Sequence, residues 1–97
     1  MDSLKTAYRK KPNVVKRRIA GETLLIPIRG ELVNMEILFA LDPTAEFIWD
    51  RIEADRALDR ILLDVVDAFD VERDTARSDM GAFIAELQEA GVIAPAE

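Results

Sequence analysis

The chain has 97 residues, enough for one small domain and too few for two. It contains no cysteine and no histidine, which removes disulfides, thiolate nucleophiles, Cys- or His-based metal sites and the commonest general base. The net charge of −6 hides an asymmetry: residues 1–35 carry +5 and residues 36–97 carry −11.

Gly21, Gly30, Gly81 and Gly91 stand alone, so no glycine-rich phosphate loop is present. No apolar run approaches the roughly 18–20 residues of a membrane-spanning helix, and the charged N-terminus lacks the apolar segment of a signal peptide. This inventory argues against an enzyme, calls for no cofactor and gives a cytoplasmic protein as the default. The acidic half should repel nucleic acid, whereas the basic N-terminal part would attract an anionic partner.

Residues 1–13 are polar and basic and end in Pro12–Asn13. They read as a flexible arm, a solubilising tail before a contact for anions, ahead of a single domain over residues 14–94. Val14–Ala20 is the first strand, with Lys16, Arg17 and Arg18 largely solvated, which suits an edge or a one-sided strand. Gly21–Glu22 signals a turn, and Thr23–Ile28 returns as the second strand of a hairpin, with Pro27 marking its end. After a turn at Arg29–Gly30, Glu31–Leu41 supplies a third strand. Its ordered pairing is expected over Met35–Leu41, with a break near Asn34.

The chain pivots at Asp42–Pro43, a side-chain cap followed by a proline where no helical N–H is needed. The first helix is expected over Pro43–Glu53, with Ala45, Ile48, Trp49 and Ile52 at helical spacing. Two readings stay open for Phe47: packed under a terminal segment, or exposed for a partner. Glu53–Ala57 contains neither Gly nor Pro, so a linker and a continuous helix are both open. In the second helix, Leu58–Phe69, the residues Leu58, Ile61, Leu62, Val65 and Phe69 form one apolar stripe. Asp59, Asp64 and Asp67 lie off that stripe and read as a solvated face before a metal site. The third helix runs from Arg73 to Ala90 with a stripe of Ala76, Met80, Phe83, Ile84 and Leu87. Glu72 is at its cap, Val71 and Ala76 are at staple spacing, and Gly91 closes it. Val92–Ile93 is an apolar tail suited to docking on the core.

The pattern is an α+β, winged-helix-like domain, a three-stranded antiparallel sheet followed by three α-helices. A DNA-reading helix needs basic and amide side chains, and here the second helix presents aspartates, so nucleic acid ranks low as a partner. An open strand edge beside a helix suits an extended peptide that adds as a further strand.

Three segments carry a resemblance: E-T-L-L-I-P at Glu22–Pro27, F-A-L-D-P-T-A-E-F-I-W at Phe39–Trp49, and the stretch from Phe69 to Ile93. Within them Leu41, Ile48, Trp49, Asp79, Phe83, Leu87, Gly91, Val92 and Ile93 match in order and spacing. The chain thereby resembles the PqqD family, named for the protein of pyrroloquinoline quinone (PQQ) biosynthesis, whose members are leader-peptide-binding domains also called RiPP recognition elements. Asp42 stands where the family has asparagine, the second helix lacks the family's cap, and the segment between Pro27 and Leu41 is longer than usual.

The resemblance implies a non-catalytic peptide chaperone. It would bind the leader of a ribosomally made precursor peptide by strand addition and present it to a modifying enzyme, of radical SAM type in the PQQ case. The implied site has its edge at Glu36, Ile37, Leu38, Phe39, Ala40 and Leu41 and its wall at Arg73, Arg77, Met80 and Ile84. The arginines would meet acidic leader residues. Met80 and Ile84 are apolar anchors or simply core, with core favoured for Ile84. A generic winged-helix interaction or nucleic-acid-binding module is the alternative function. The open edge leaves monomer and homodimer unranked.

Overall fold

The computed structural model describes residues 3–27 and 39–96. Two antiparallel strands, β2 (Val14–Ile19) and β3 (Glu22–Pro27), are separated by Ala20 and Gly21 with φ of 53° and 83°. Two successive positive φ values match the twist of a tight hairpin. The turn thus sits one residue earlier than the expected Gly21–Glu22, because Glu22 is already paired with Ile19. A third strand, β4 (Phe39–Leu41), pairs with β3, giving the order β2-β3-β4. The expected start of that strand, with Glu36–Leu38, the turn at Arg29–Gly30 and the break at Asn34, lies outside the described residues.

Three helices follow: α1 (Pro43–Arg51), α2 (Leu58–Phe69) and α3 (Arg73–Glu89). The Asp42 side chain accepts the Ala45 N–H at 2.8 Å, and Pro43 occupies the first helical turn. α1 ends two residues before the expected Glu53, and residues 52–57 form a non-helical link, so α1 and α2 are separate helices. At the far end of α3, the Val92 N–H donates to the Leu87 carbonyl and the Gly91 N–H to that of Gln88, at 3.2 and 3.0 Å. With Gly91 at φ 79°, this is the paired bonding of a Schellman motif. It aims Val92 and Ile93 back into the core, where they are 1% and 2% exposed.

The expected flexible arm is corrected by the structure. Ser3–Lys5 forms a 3₁₀ turn, and β1 (Tyr8–Lys10) pairs antiparallel with β5 (Ile93–Pro95). The Lys11 N–H donates to the Val92 carbonyl and the Ala96 N–H to the Ala7 carbonyl, both at 2.9 Å, so the two terminal segments clasp each other. Tyr8 is buried, and Lys10 Nζ lies 4.9 Å from the Trp49 ring centroid. The segment also repairs a defect visible in the sequence. Ala57, at the N-cap of α2, has no side chain to offer, and the Leu58 N–H is taken instead by the Thr6 carbonyl at 3.0 Å.

The core lies between the sheet and the helices. Leu25, Leu62 and Leu87 are fully buried, and Leu58, Ile61 and Val65 carry the α2 stripe into it. Cross-strand alternation turns Lys16 and Arg18 of the basic triplet toward α1. Lys16 Nζ bonds Asp50 Oδ1 at 2.8 Å and Glu46 Oε2 at 2.9 Å. The buried Thr23 hydroxyl donates to Glu46 Oε1 at 3.2 Å. Arg18 reaches Glu46 at 3.4 Å. The Lys16 hydrogen bond holds the Glu46 carboxyl below its ordinary value of 4.5, and the bonds to Asp50 and Glu46 raise Lys16 above 10.5.

Two outcomes follow from this arrangement. Deleting residues 1–11 removes the β1–β5 pairing, the Tyr8 packing and the α2 cap together. Thermal unfolding of the shortened chain is expected to show a large loss of Tm, where removal of a mere solubilising tail would leave Tm unchanged. Glu46→Gln is expected to lower Tm at neutral pH. A carboxyl with a depressed folded pKa contributes above its unfolded value and loses that contribution as pH falls through the folded one. The Tm gap between the parent chain and E46Q should therefore be constant near neutrality and close below about pH 4 in a pH series.

Candidate functional site

β4 is an outer strand: β3 covers one side, and among the described residues no strand covers the other. Among the described residues, the main-chain groups on that side have no partner strand to satisfy them. Beside them a groove of about 420 Å³ runs between β4 and α3, with the first turns of α1 contributing. Its floor is core: Ile48, Val65, Ala76 and Met80 are 3%, 1%, 6% and 1% exposed. Phe39 and Phe83, both half-buried, meet edge to face with centroids 6.4 Å apart and planes at 84°, which ties the strand to the helix. Val71, ahead of α3, also lines the groove and leaves 38% of its surface exposed.

Helical geometry decides which α3 side chains reach this space. Thr75, Ala76, Asp79, Met80, Phe83 and Glu86 follow one another at spacings of one and three and line the groove. Arg77 lies three residues before Met80, about 60° around the helix on the side away from Phe83. Arg73 and Arg77 are exposed and are not among the groove-lining residues. Ile84 is 4% exposed and belongs to the core, as favoured. Of the expected edge, Phe39 and Ala40 line the groove and Leu41 is buried beside it, while Glu36, Ile37 and Leu38 lie outside the described residues. The sequence reading thus brings Phe39, Ala40 and Met80 together and misses Thr75, Asp79, Phe83 and Glu86 as groove residues. A signal for them exists: Asp79 and Glu86 sit four before and three after Phe83, the half-buried aromatic of the stripe.

A larger concavity of about 590 Å³ lies between α1 and α2. Three arginines and four carboxylates line it, and Arg51 and Asp64 approach to 3.6 Å. Both signs of charge line it together, and none of its lining residues belongs to a strand. Phe47 is settled at its side, its ring edge-to-face with Phe69 at 5.1 Å and covered by the Arg51 guanidinium at 3.5 Å. Among the described residues no group of three or more His, Cys, Asp or Glu side chains is placed to hold a metal ion. No helix among them is long and apolar enough to cross a membrane.

The fold and the groove define a small α+β domain with an open strand edge walled by a helix. The family model for coenzyme PQQ synthesis protein D (PqqD) matches residues 22–93, and the chain belongs to that family. A solved structure, TbiB1 in complex with the TbiA(beta) leader peptide, is similar in fold. Its TM-score is 0.69, covering 88% of this chain and 93% of that one at 21% sequence identity. No curated protein matches the chain.

Proposed function

We propose that the chain is a non-catalytic adaptor that binds the leader of a ribosomally made precursor peptide and presents it to a modifying enzyme. The observation that carries this reading is the side of β4 that no described strand covers, lying beside an apolar-floored groove. An extended peptide laid along β4 would gain main-chain hydrogen bonds from the strand and place alternate side chains over the groove. Met80 and Val65 give the floor for an apolar anchor, and Phe39 and Phe83 flank it. Family membership supports the reading, as does the leader peptide held by TbiB1, which shares the fold. The radical SAM class of enzyme is the finer proposal and rests on the resemblance to PQQ biosynthesis. Among the described residues the groove's charged side chains are carboxylates, which disfavours nucleic acid as the occupant.

Titration of the isotope-labelled protein with the leader of any short precursor peptide encoded beside its gene tests this by amide NMR. Saturable shifts are expected at Phe39–Leu41 and around Met80 and Phe83. Phe83→Ala should weaken binding roughly tenfold, while Arg77→Ala leaves it within a factor of two or so. Shifts confined to Lys5–Arg18 that vanish with added salt would overturn the reading.

A further inference from the structure

Among the described residues the charged ones that line the groove are Asp42, Asp79 and Glu86, and no lysine or arginine does. Asp79 and Glu86 are exposed and make no ion pair with a described residue. Glu46 and Asp50 against the sheet, and Asp64 between the helices, do find cations. Asp42 spends one oxygen on the Ala45 N–H and keeps its charge at the end of β4. Asp79 and Glu86 are seven residues apart, two turns and about 10 Å along α3. An extended strand rises about 3.3 Å per residue, so cationic side chains two to four residues apart on an added strand reach both carboxylates. Between them, at Phe83 and Met80, the surface is apolar.

Resting on the peptide-binding reading above, we propose that this groove selects leaders in which an aromatic or aliphatic anchor is flanked by lysine or arginine. This is opposite in sign to the acidic leader expected from Arg73 and Arg77. Complementary charge acts first on encounter and on rejection of wrong partners, so the same carboxylates disfavour acidic leaders. The residues that set this preference are Asp79 and Glu86, with Asp42 as a third negative charge.

A displayed library of random 15-residue peptides, selected against the full chain, is the test. The expected winners carry an apolar anchor with Lys or Arg within four residues of it, and they bind roughly tenfold more weakly when salt rises from 50 to 300 mM. The same selection against Asp79→Lys/Glu86→Lys should enrich Asp and Glu instead. Both positions are exposed, so this variant should fold, and Asp79→Asn/Glu86→Gln gives a milder second variant expected to lose roughly tenfold in affinity for the winning peptides. Winners that shift the Phe39 and Phe83 amides but show no basic enrichment, or the same composition with the reversed variant, overturn the charge preference and leave the groove reading standing. Winners that leave Phe39 and Phe83 unmoved, or the absence of any winner, overturn the groove reading and this inference with it.

Discussion

A strand edge beside a helix is the constraint on which the rest of this structure depends. Unpaired main-chain groups on a sheet edge are a template for any extended chain, and most folds blunt them with charge, proline or a covering element. Here β4 carries Phe-Ala-Leu at its edge, without charge or proline, and the neighbouring helix stands off far enough to leave a groove. The helix is not free to close on the strand. Phe39 and Phe83 hold the two elements at a fixed separation, and the groove floor is made of residues already committed to the core.

What fixes α3 in that position lies at its two ends. Val71 and Ala76 bracket its start, and the Schellman motif at Gly91 ends it and turns Val92 and Ile93 under the domain. The chain then forms β5, which pairs with β1 in the terminal clasp. Thr6 gives its carbonyl to Leu58, so the N-terminal segment fixes the start of α2, on which α3 packs. The groove is thus supported by bonds between segments more than fifty residues apart in sequence. The Lys16–Glu46–Asp50 cluster does the equivalent for α1 against the β2–β3 hairpin.

Much of this was legible in the sequence because it is periodic or capped by side chains. The α2 stripe, the Asp42–Pro43 start of α1 and the Gly91 stop of α3 rest on local chemistry that residues announce by type and spacing. The N-terminal segment was not legible, because Tyr-Arg-Lys is too short to show a period and becomes a strand only by pairing with Ile93–Pro95. Its apolar residues, Leu4, Ala7 and Tyr8, are too few and too scattered to announce an element. The groove was half legible: Phe39, Ala40 and Met80 were in view. Asp79 enters the sequence reading only as part of the family pattern and Glu86 not at all as a site residue, and only the placement of β4 beside α3 puts both on the groove. Arg73 and Arg77 show the converse, since both stand on the helix that walls the groove, yet both are exposed and neither lines it.

The central claim is that β4 is completed by a strand from another molecule. Amide hydrogen exchange of the chain, with and without the leader of any short precursor peptide encoded beside its gene, tests it most directly. Strand addition predicts slowed exchange at amides of Phe39–Leu41 once leader is bound, with the interior of α2 unchanged. Saturable binding that leaves those amides exchanging at their free rate would contradict it, and would move the binding surface elsewhere on the domain.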